Sequence, residues 1–290
     1  MDIREVKTIG EGLLRPEGVM SLTDGRIYAA DGRGCCARID PSGRTDFWGN
    51  VGGVPNGICI DPEGNCIIAN IGNGEVQSLD PEGRHSVLMT EAQGQRMYSP
   101  NFPYLDFQGR LWVSNSTARP DVDEALRAPS PDGCLVCIAD GRARIVADGI
   151  YFANGVAVDT SETYVYVAET MKRRVLRYPI LADGSVGRQE VYGPPFLGPL
   201  GFPDGIAFDE AGNLWVTFPM WNAIGFISTR GSLEMVLEDP ERTVLNRPAN
   251  ICFGGPERRT AFIGSLDGRN IPYFDVPYPG ARLVHQAKTD

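Results

Sequence analysis

Histidine is scarce in this sequence: His85 and His285 are the only two in 290 residues. A Ser-His-Asp or Cys-His catalytic arrangement has almost nothing to be built from, and each histidine is read as surface or core filler rather than as a general base. Basic charge is also short. Lys and Arg number 27 against 37 Asp and Glu, the net charge is -10, and no basic cluster is longer than Lys172-Arg173-Arg174. Phosphate backbones would be repelled, which argues against nucleic acid as a partner. The acidic balance is compatible with a cation site. No apolar run approaches the roughly 18 residues of a membrane span, so no membrane partner is expected. The N-terminal Met1-Asp2-Ile3-Arg4-Glu5-Val6 has no signal-peptide h-region, and the seven cysteines are an odd number. Together these lead to the expectation of reduced thiols in a cytoplasmic chain. Cys134-Leu135-Val136-Cys137 and Cys35-Cys36 lie in strand-like segments with no second ligand pair at zinc-finger spacing, so a core role is expected for them.

Glycine (35) and proline (22), by contrast, are abundant, as many tight turns between short strands would require. They punctuate a repeat. Arg15-Pro16-Glu17-Gly18-Val19, Val54-Pro55-Asn56-Gly57-Ile58, Ser99-Pro100-Asn101-Phe102-Pro103, Phe152-Ala153-Asn154-Gly155-Val156, Phe202-Pro203-Asp204-Gly205-Ile206 and Arg247-Pro248-Ala249-Asn250-Ile251 each place a Glu, Asn or Asp just before an apolar strand. Positions 17, 56, 101, 154, 204 and 250 recur with a period of about 40–50 residues, the range of propeller blades. Each repeat reads as strand A, turn, strand B, loop, strand C, turn, strand D. Tetrads such as Asp61-Pro62-Glu63-Gly64 and Asp80-Pro81-Glu82-Gly83 pre-set the turns through Pro and close them with Gly. Alternation and β-branched enrichment between them argue for strands. The fold expected is all-β, one domain over 1–290, a six-bladed β-propeller of four antiparallel strands per blade; a linear sandwich is the structural alternative. Ile3 to Thr8 is expected to return as an extra strand on the last blade.

In that topology the D-to-A connectors and B-to-C loops share one face with the six ring positions. Two of them stand out: Ser116 to Asp132, long, Pro-rich and acidic at Asp121, Asp123 and Glu124, and the proline-stiffened apolar connector Gly193 to Gly201. Long loops in compact domains often serve as lids. With A innermost, Glu17, Asn56, Asn101, Asn154, Asp204 and Asn250 converge at the channel mouth. Turn chemistry explains one or two such residues, but explains six poorly. Two carboxylates and four amide oxygens suit one hard divalent cation: Ca²⁺ is the first expectation, with Zn²⁺, Mg²⁺ or Mn²⁺ as other fits.

Pro16-Glu17-Gly18, Phe152-Ala153-Asn154-Gly155-Val156-Ala157 and Phe202-Pro203-Asp204-Gly205 resemble motifs of the senescence-marker-protein/gluconolactonase/luciferin-regenerating-enzyme family of six-bladed propellers, in the same order and across essentially the whole chain. The resemblance implies one catalytic divalent metal held by Glu17, Asn154 and Asp204, with Asp204 as general base and Asn101 contacting metal, water or substrate. Lactone hydrolysis needs a polarised carbonyl and a nucleophilic water, both of which a bound cation supplies. Asp204 could then accept the water's proton, while Asn101 or Asn56 orients the oxyanion.

The third repeat departs from that pattern. Sugar-lactonase relatives often carry Arg-x-Asn-Asp-Gly there, whereas this chain has Ser99-Pro100-Asn101-Phe102-Pro103. Asn56, Asn250, Phe102, Phe152, Phe218 and Trp221 are the expected substrate-facing residues, with Tyr98, Phe196 and Met220 nearby, a lining suited to a less polar or aromatic small molecule. Phe152 to Val156, followed by Val167-Ala168-Glu169-Thr170 and Arg174 to Tyr178, is also similar to strictosidine-synthase-like propellers over about one blade. The leading expectation is a metal-dependent lactone or ester hydrolase. A metal-dependent lyase, isomerase or cyclase and an NHL-type binding propeller are the alternatives; the oligomeric state is left open.

Overall fold

The computed structural model describes residues 1–287. Its strands form six four-stranded antiparallel sheets and one short hairpin, Glu91–Ala92 with Gln95–Arg96. The inner A strands are Val19–Ser21, Pro55–Ile60, Pro100–Leu105, Ala153–Val158, Ile206–Phe208 and Pro248–Gly254. Each lies against the A strand of the next blade, and the last lies against the first, so the sheets close into a ring. This is the six-bladed propeller that the repeats predict.

Burial falls from the axis outward. The A strands Pro55–Ile60, Ala153–Val158 and Pro248–Gly254 are buried at every residue, as are the B strands Ile27–Asp31, Cys66–Asn70, Leu111–Asn115 and Leu214–Phe218. Exposure grows farther out: the C strand Glu75–Leu79 has two half-buried residues, and the D strand His85–Met89 is exposed over four of its five residues. An inner strand has a neighbouring blade on both faces, so it reads as a continuous apolar run rather than an alternating one. The A-to-B turns also serve the core. Asp106 and Asp209, which close their turns through backbone N–H groups, accept the buried indole N–H of Trp112 at 2.8 Å and of Trp215 at 3.0 Å. The cysteines are free thiols, buried except for half-buried Cys35.

The N-terminal strand is shorter than expected and has a different role. Ile3–Glu5 is a 3₁₀ turn, and Lys7–Ile9 pairs with Ile271–Asp275 as the fourth strand of blade 6, not as an addition to four. The chain beyond Asp275 does not fold back as a D strand. It crosses to the far end of the channel, where Ala281 N donates to Phe208 O at 2.9 Å and Gln286 Nε2 to Phe253 O at 3.2 Å. Between this tail and the ring is an apolar cavity of about 30 Å³ lined by Met20, Tyr104, Phe208, Phe253 and Leu283, among others. Among the described residues, no helix is long and apolar enough to cross a membrane.

Candidate functional site

The site is built by a repeated irregularity at the start of strand A. Pairing of A with B slips between Pro55 and Ile58, Pro100 and Phe102, Ala153 and Val156, and Pro248 and Asn250. Such bulges re-aim a side chain where regular pairing would turn it along the sheet. Val19, Ile58, Pro103, Val156, Ile206 and Ile251 occupy matching register positions against strand B. Counting back two residues gives Glu17, Asn56, Asn101, Asn154, Asp204 and, in blade 6, Ala249. Asn250 therefore stands one residue past the sixth ring position, where four other blades carry glycine. Those glycines are required by close approach: a Cβ on Gly18 would overlap the Asn56 carbonyl oxygen, and one on Gly155 the Asp204 carbonyl oxygen. Neighbouring ring residues are thus brought together by backbone contact at the axis.

Five of the predicted site residues meet there, and all are buried: Glu17, Asn56, Asn101, Asn154 and Asp204. Asn56 Nδ2 donates to Glu17 Oε1 at 2.6 Å and to Asn101 O at 3.2 Å, while its Oδ1 accepts from Arg15 Nη2 at 2.9 Å. Arg15 Nη2 also lies 2.6 Å from Glu17 Oε2, without hydrogen-bond geometry. Glu17 Oε2, Asn101 Oδ1, Asn154 Oδ1 and Asp204 Oδ1 are all buried and lack a hydrogen-bond partner. Unsatisfied buried polar atoms are few in native structures and costly; four oxygens from four blades at one axis need an explanation. Burial, then the charge of Glu17, pushes the Asp204 carboxyl well above the usual carboxylate range, against opposing effects of Arg15, Arg247 and the Asn154 side chain. Two neighbouring buried carboxylates with free amide oxygens are a donor set that a hard divalent cation takes. Among the described residues, no group of three or more His, Cys, Asp and Glu side chains offers another such site.

The other predicted residues sort differently. Asn250 Oδ1 accepts from Ile251 N at 2.7 Å, and its Nδ2 is buried without a partner. Phe102 and Phe218 are buried in hydrophobic clusters between blades, and Phe102 also lines the apolar cavity under the C-terminal tail. Phe152 is also buried, with φ 64°. Trp221 is half-buried, tilted against Phe218 at 5.9 Å, and donates to Glu238 Oε2 at 2.9 Å. The exposed large apolar side chains of this face include Tyr98, Leu126, Phe196, Leu200 and Met220, all on its connectors and loops. His85 is exposed on a D strand, and His285 Nε2 lies 3.0 Å from Ser21 O at the opposite end of the channel. Asp121 caps the short helix Val122–Arg127 inside the long blade 3 loop, with Asp123 and Glu124 in its first turn. These acids have a local structural role.

Two groups escaped the sequence reading. The first is the polar residue ending strand B. Asp31 accepts from Leu14 N at 2.9 Å, Asn70 from Val54 N at 2.8 Å, Asn115 from Ser99 N at 2.9 Å and Glu169 from Tyr151 N at 2.9 Å. Each fixes the connector that delivers the next ring residue. The signal was present in sequence as a polar residue closing the apolar B run in blades 1 to 4. The second group is Arg15 and Arg247, held at φ 51° and 59° beside the ring.

Sequence and fold comparisons agree with the propeller architecture. The chain is 27% identical over 220 residues to Protein STRICTOSIDINE SYNTHASE-LIKE 4 of Arabidopsis thaliana, covering 72% of this chain and 58% of the relative. It is 25% identical over 224 residues to a gluconolactonase of Zymomonas mobilis subsp. mobilis, covering 72% of this chain and 60% of that protein. The chain thus spans about three fifths of the length of these relatives. The solved structure of a luciferin-regenerating enzyme superposes with a TM-score of 0.78 at 20% identity, over 96% of this chain and 98% of that one, a likeness of fold. Residues 82–267 match the SMP-30/Gluconolactonase/LRE-like region, and the chain belongs to that family.

Proposed function

We propose that the protein is a metal-dependent hydrolase that opens a lactone or related ester at the ring. The observation that carries this reading is the set of four buried oxygens, Glu17 Oε2, Asn101 Oδ1, Asn154 Oδ1 and Asp204 Oδ1, none with a hydrogen-bond partner. Glu17, Asn154 and Asp204 would hold one divalent cation, Ca²⁺ by the all-oxygen donor set, with Asn101 close by. Such a cation, when bound, supplies Lewis-acid polarisation of the carbonyl and a lowered pKa for the attacking water.

The chain's own residues supply the rest. Asp204, beside the cation it would help to hold, is placed to accept a proton from the attacking water. Asn56 is already committed to Glu17, Asn101 and Arg15, so it positions Glu17 rather than the oxyanion, and that second task passes to Asn101. Buried Ser99 and Phe102 stand where sugar-lactonase relatives carry Arg and Asp, which supports a substrate less polar than an aldonolactone. The gluconolactonase relative supports hydrolysis itself.

Metal analysis of the purified protein, followed by a lactone panel with and without chelator, tests this reading. Glu17→Gln should lose metal and activity together. Full metal occupancy in that variant would remove Glu17 from the metal's ligands, and turnover unaffected by chelator would overturn the metal-dependent mechanism.

A further inference from the structure

Two cationic side chains at the ring have no task in the reaction above. Arg15 precedes Glu17 by two residues, and Arg247 opens the blade 6 segment that carries Ala249 and Asn250. Their connectors are tied to one hairpin end: Ser265 N donates to Pro16 O at 2.8 Å, and Leu266 N to Arg247 O at 3.1 Å. The two arginines therefore stand on adjacent blades at one side of the mouth. Both adopt left-handed backbone, φ 51° and 59°, a region unusual for non-glycine residues and concentrated at functional sites. The Arg247 backbone is held there by its N–H donating to Asn222 Oδ1 at 2.7 Å.

Their ionic partners leave capacity unused. Arg15 uses Nη2 on Glu17 and Asn56, while its Nη1 is buried with no partner. Arg247 reaches Asp267 at 3.5 Å, through a carboxylate that is itself 46% exposed. The side chains as a whole remain partly exposed, 27% for Arg15 and 34% for Arg247. In a chain of net charge -10, two arginines at the mouth of the site present donor forks suited to a planar oxyanion. The same face carries an apolar rim on blades 4 and 5, with exposed Phe196 and Leu200 on their connector and exposed Met220 on the blade 5 loop.

We propose that Arg15 and Arg247 form an anion-binding subsite, and that the substrate is an amphiphilic lactone or ester whose carboxylate lies on these arginines while its apolar part lies on the rim. The word substrate rests on the hydrolase reading; the anion subsite does not. A charge-assisted hydrogen bond of this kind corresponds to about tenfold or more in affinity.

The test is equilibrium binding of benzoate and of its neutral counterpart benzamide to the full chain as purified, by calorimetry, with and without chelator. Benzoate should bind about tenfold or more tightly than benzamide. Arg247→Gln should remove about tenfold of that preference, and Arg247→Lys should keep part of it. In parallel, kcat/KM for 5-oxotetrahydrofuran-2-carboxylate should exceed that for its carboxamide, with the ratio reduced in Arg247→Gln and Arg15→Gln. Equal binding of benzoate and benzamide, absence of binding by either, or a benzoate affinity indifferent to Arg247→Gln would overturn the subsite. Benzoate binding that chelator abolishes and Arg247→Gln leaves intact is coordination to the cation, and also overturns it. If benzoate binding depends on Arg247 but neither lactone is opened, the subsite stands and the hydrolase reading falls. If both lactones are opened at equal rates with no benzoate preference, the hydrolase reading stands and the subsite falls.

Discussion

Asp204 shows at the scale of one residue how a site can hold strain that a ligand would relieve. Its carboxyl is buried beside Glu17, and its pKa is raised well above the usual carboxylate range. The folded protein therefore keeps a proton that the unfolded chain releases above about pH 4. Where the native state binds more protons, stability falls as pH rises, so this group's contribution declines from about pH 4 up to its raised folded value. In chelated protein, Asp204→Asn should flatten that decline and add about 1 kcal/mol at pH 7, a rise of about 2–4 °C in melting temperature. The same variant should no longer be stabilised by added Ca²⁺. A chelated Asp204→Asn protein that melts below chelated wild type at pH 7 would show the carboxylate to be paired, not strained. Asn115 offers a contrasting case, since its role is to place another residue. Its Oδ1 receives the buried Ser99 N–H at 2.9 Å, and its Nδ2 donates to Thr117 O at 2.8 Å. Asn115→Ala leaves both backbone groups unsatisfied and should cost about 1–3 kcal/mol, with loss of activity because the connector delivers Asn101. Asn115→Asp keeps the acceptor for Ser99 and should restore much of the activity; equal loss in both variants would assign Asn115 to general packing.

At the scale of elements, the segment between Asn115 and Gly133 is the one large departure from the blade plan. It is held by itself: Arg119 donates to Ala128 O at 3.0 Å and Ser130 Oγ at 2.6 Å, and Thr117 Oγ1 to Asp132 at 2.9 Å. Only Ala125 of its helix is buried. Deleting part of Ala118 to Pro129 should therefore change KM or substrate selectivity more than folding, by comparison of thermal melts with a lactone panel; loss of cooperative unfolding would make the segment structural. The blades themselves were legible because turn chemistry is local: Asp80-Pro81-Glu82-Gly83 specifies its turn whatever lies around it. Ring membership was legible where Gly follows the polar residue, since close approach of adjacent A strands demands that glycine. It failed in blade 6. Pro248-Ala249-Asn250 offers a polar residue one place late, and only the bulge in the A–B register shows that Ala249 holds the ring position. Phe102 and Phe218 were misplaced for a related reason. An aromatic residue near the mouth in sequence faces either solvent or the next blade, and a one-residue shift decides which. Arg15 and Arg247 share one repeat position, two residues before the ring, but their meaning depends on neighbours from other blades.

At the scale of the molecule, closure is the step on which the site depends, because its residues come from blades that meet only when the ring is shut. Glu17 belongs to blade 1 and Asp204 to blade 5, with blade 6 between them. Blade 6 is completed by the N-terminal strand, whose Lys7, Thr8 and Ile9 stand opposite Tyr273, Pro272 and Ile271. No covalent link makes this join. Val6 packs into a cluster with Phe274 and Val276, and Ile9 against one that includes Ile271 and Ile39. Removing residues 1–9 forfeits a few ladder hydrogen bonds of about 1 kcal/mol each and two apolar side chains at about 1.5–3 kcal/mol each. The sum, on the order of 5 kcal/mol, is a large share of a typical net stability. It should lower the melting temperature by about 10 °C or more. The loss should also reach the site: with blade 6 reduced to three strands, the spacing between Asp204 and Glu17 is no longer held, and stabilisation by Ca²⁺ should shrink together with the melting temperature. Lys7→Glu, a change at an exposed position of the same strand, should leave both nearly unchanged. Melting curves of the three proteins, with and without Ca²⁺, separate the possibilities. A truncated protein that melts like wild type would mean that five and three-quarter blades close without the N-terminal strand. One that melts low yet keeps the full Ca²⁺ increment would mean that the ring is held by the A strands alone, independent of the outer closure.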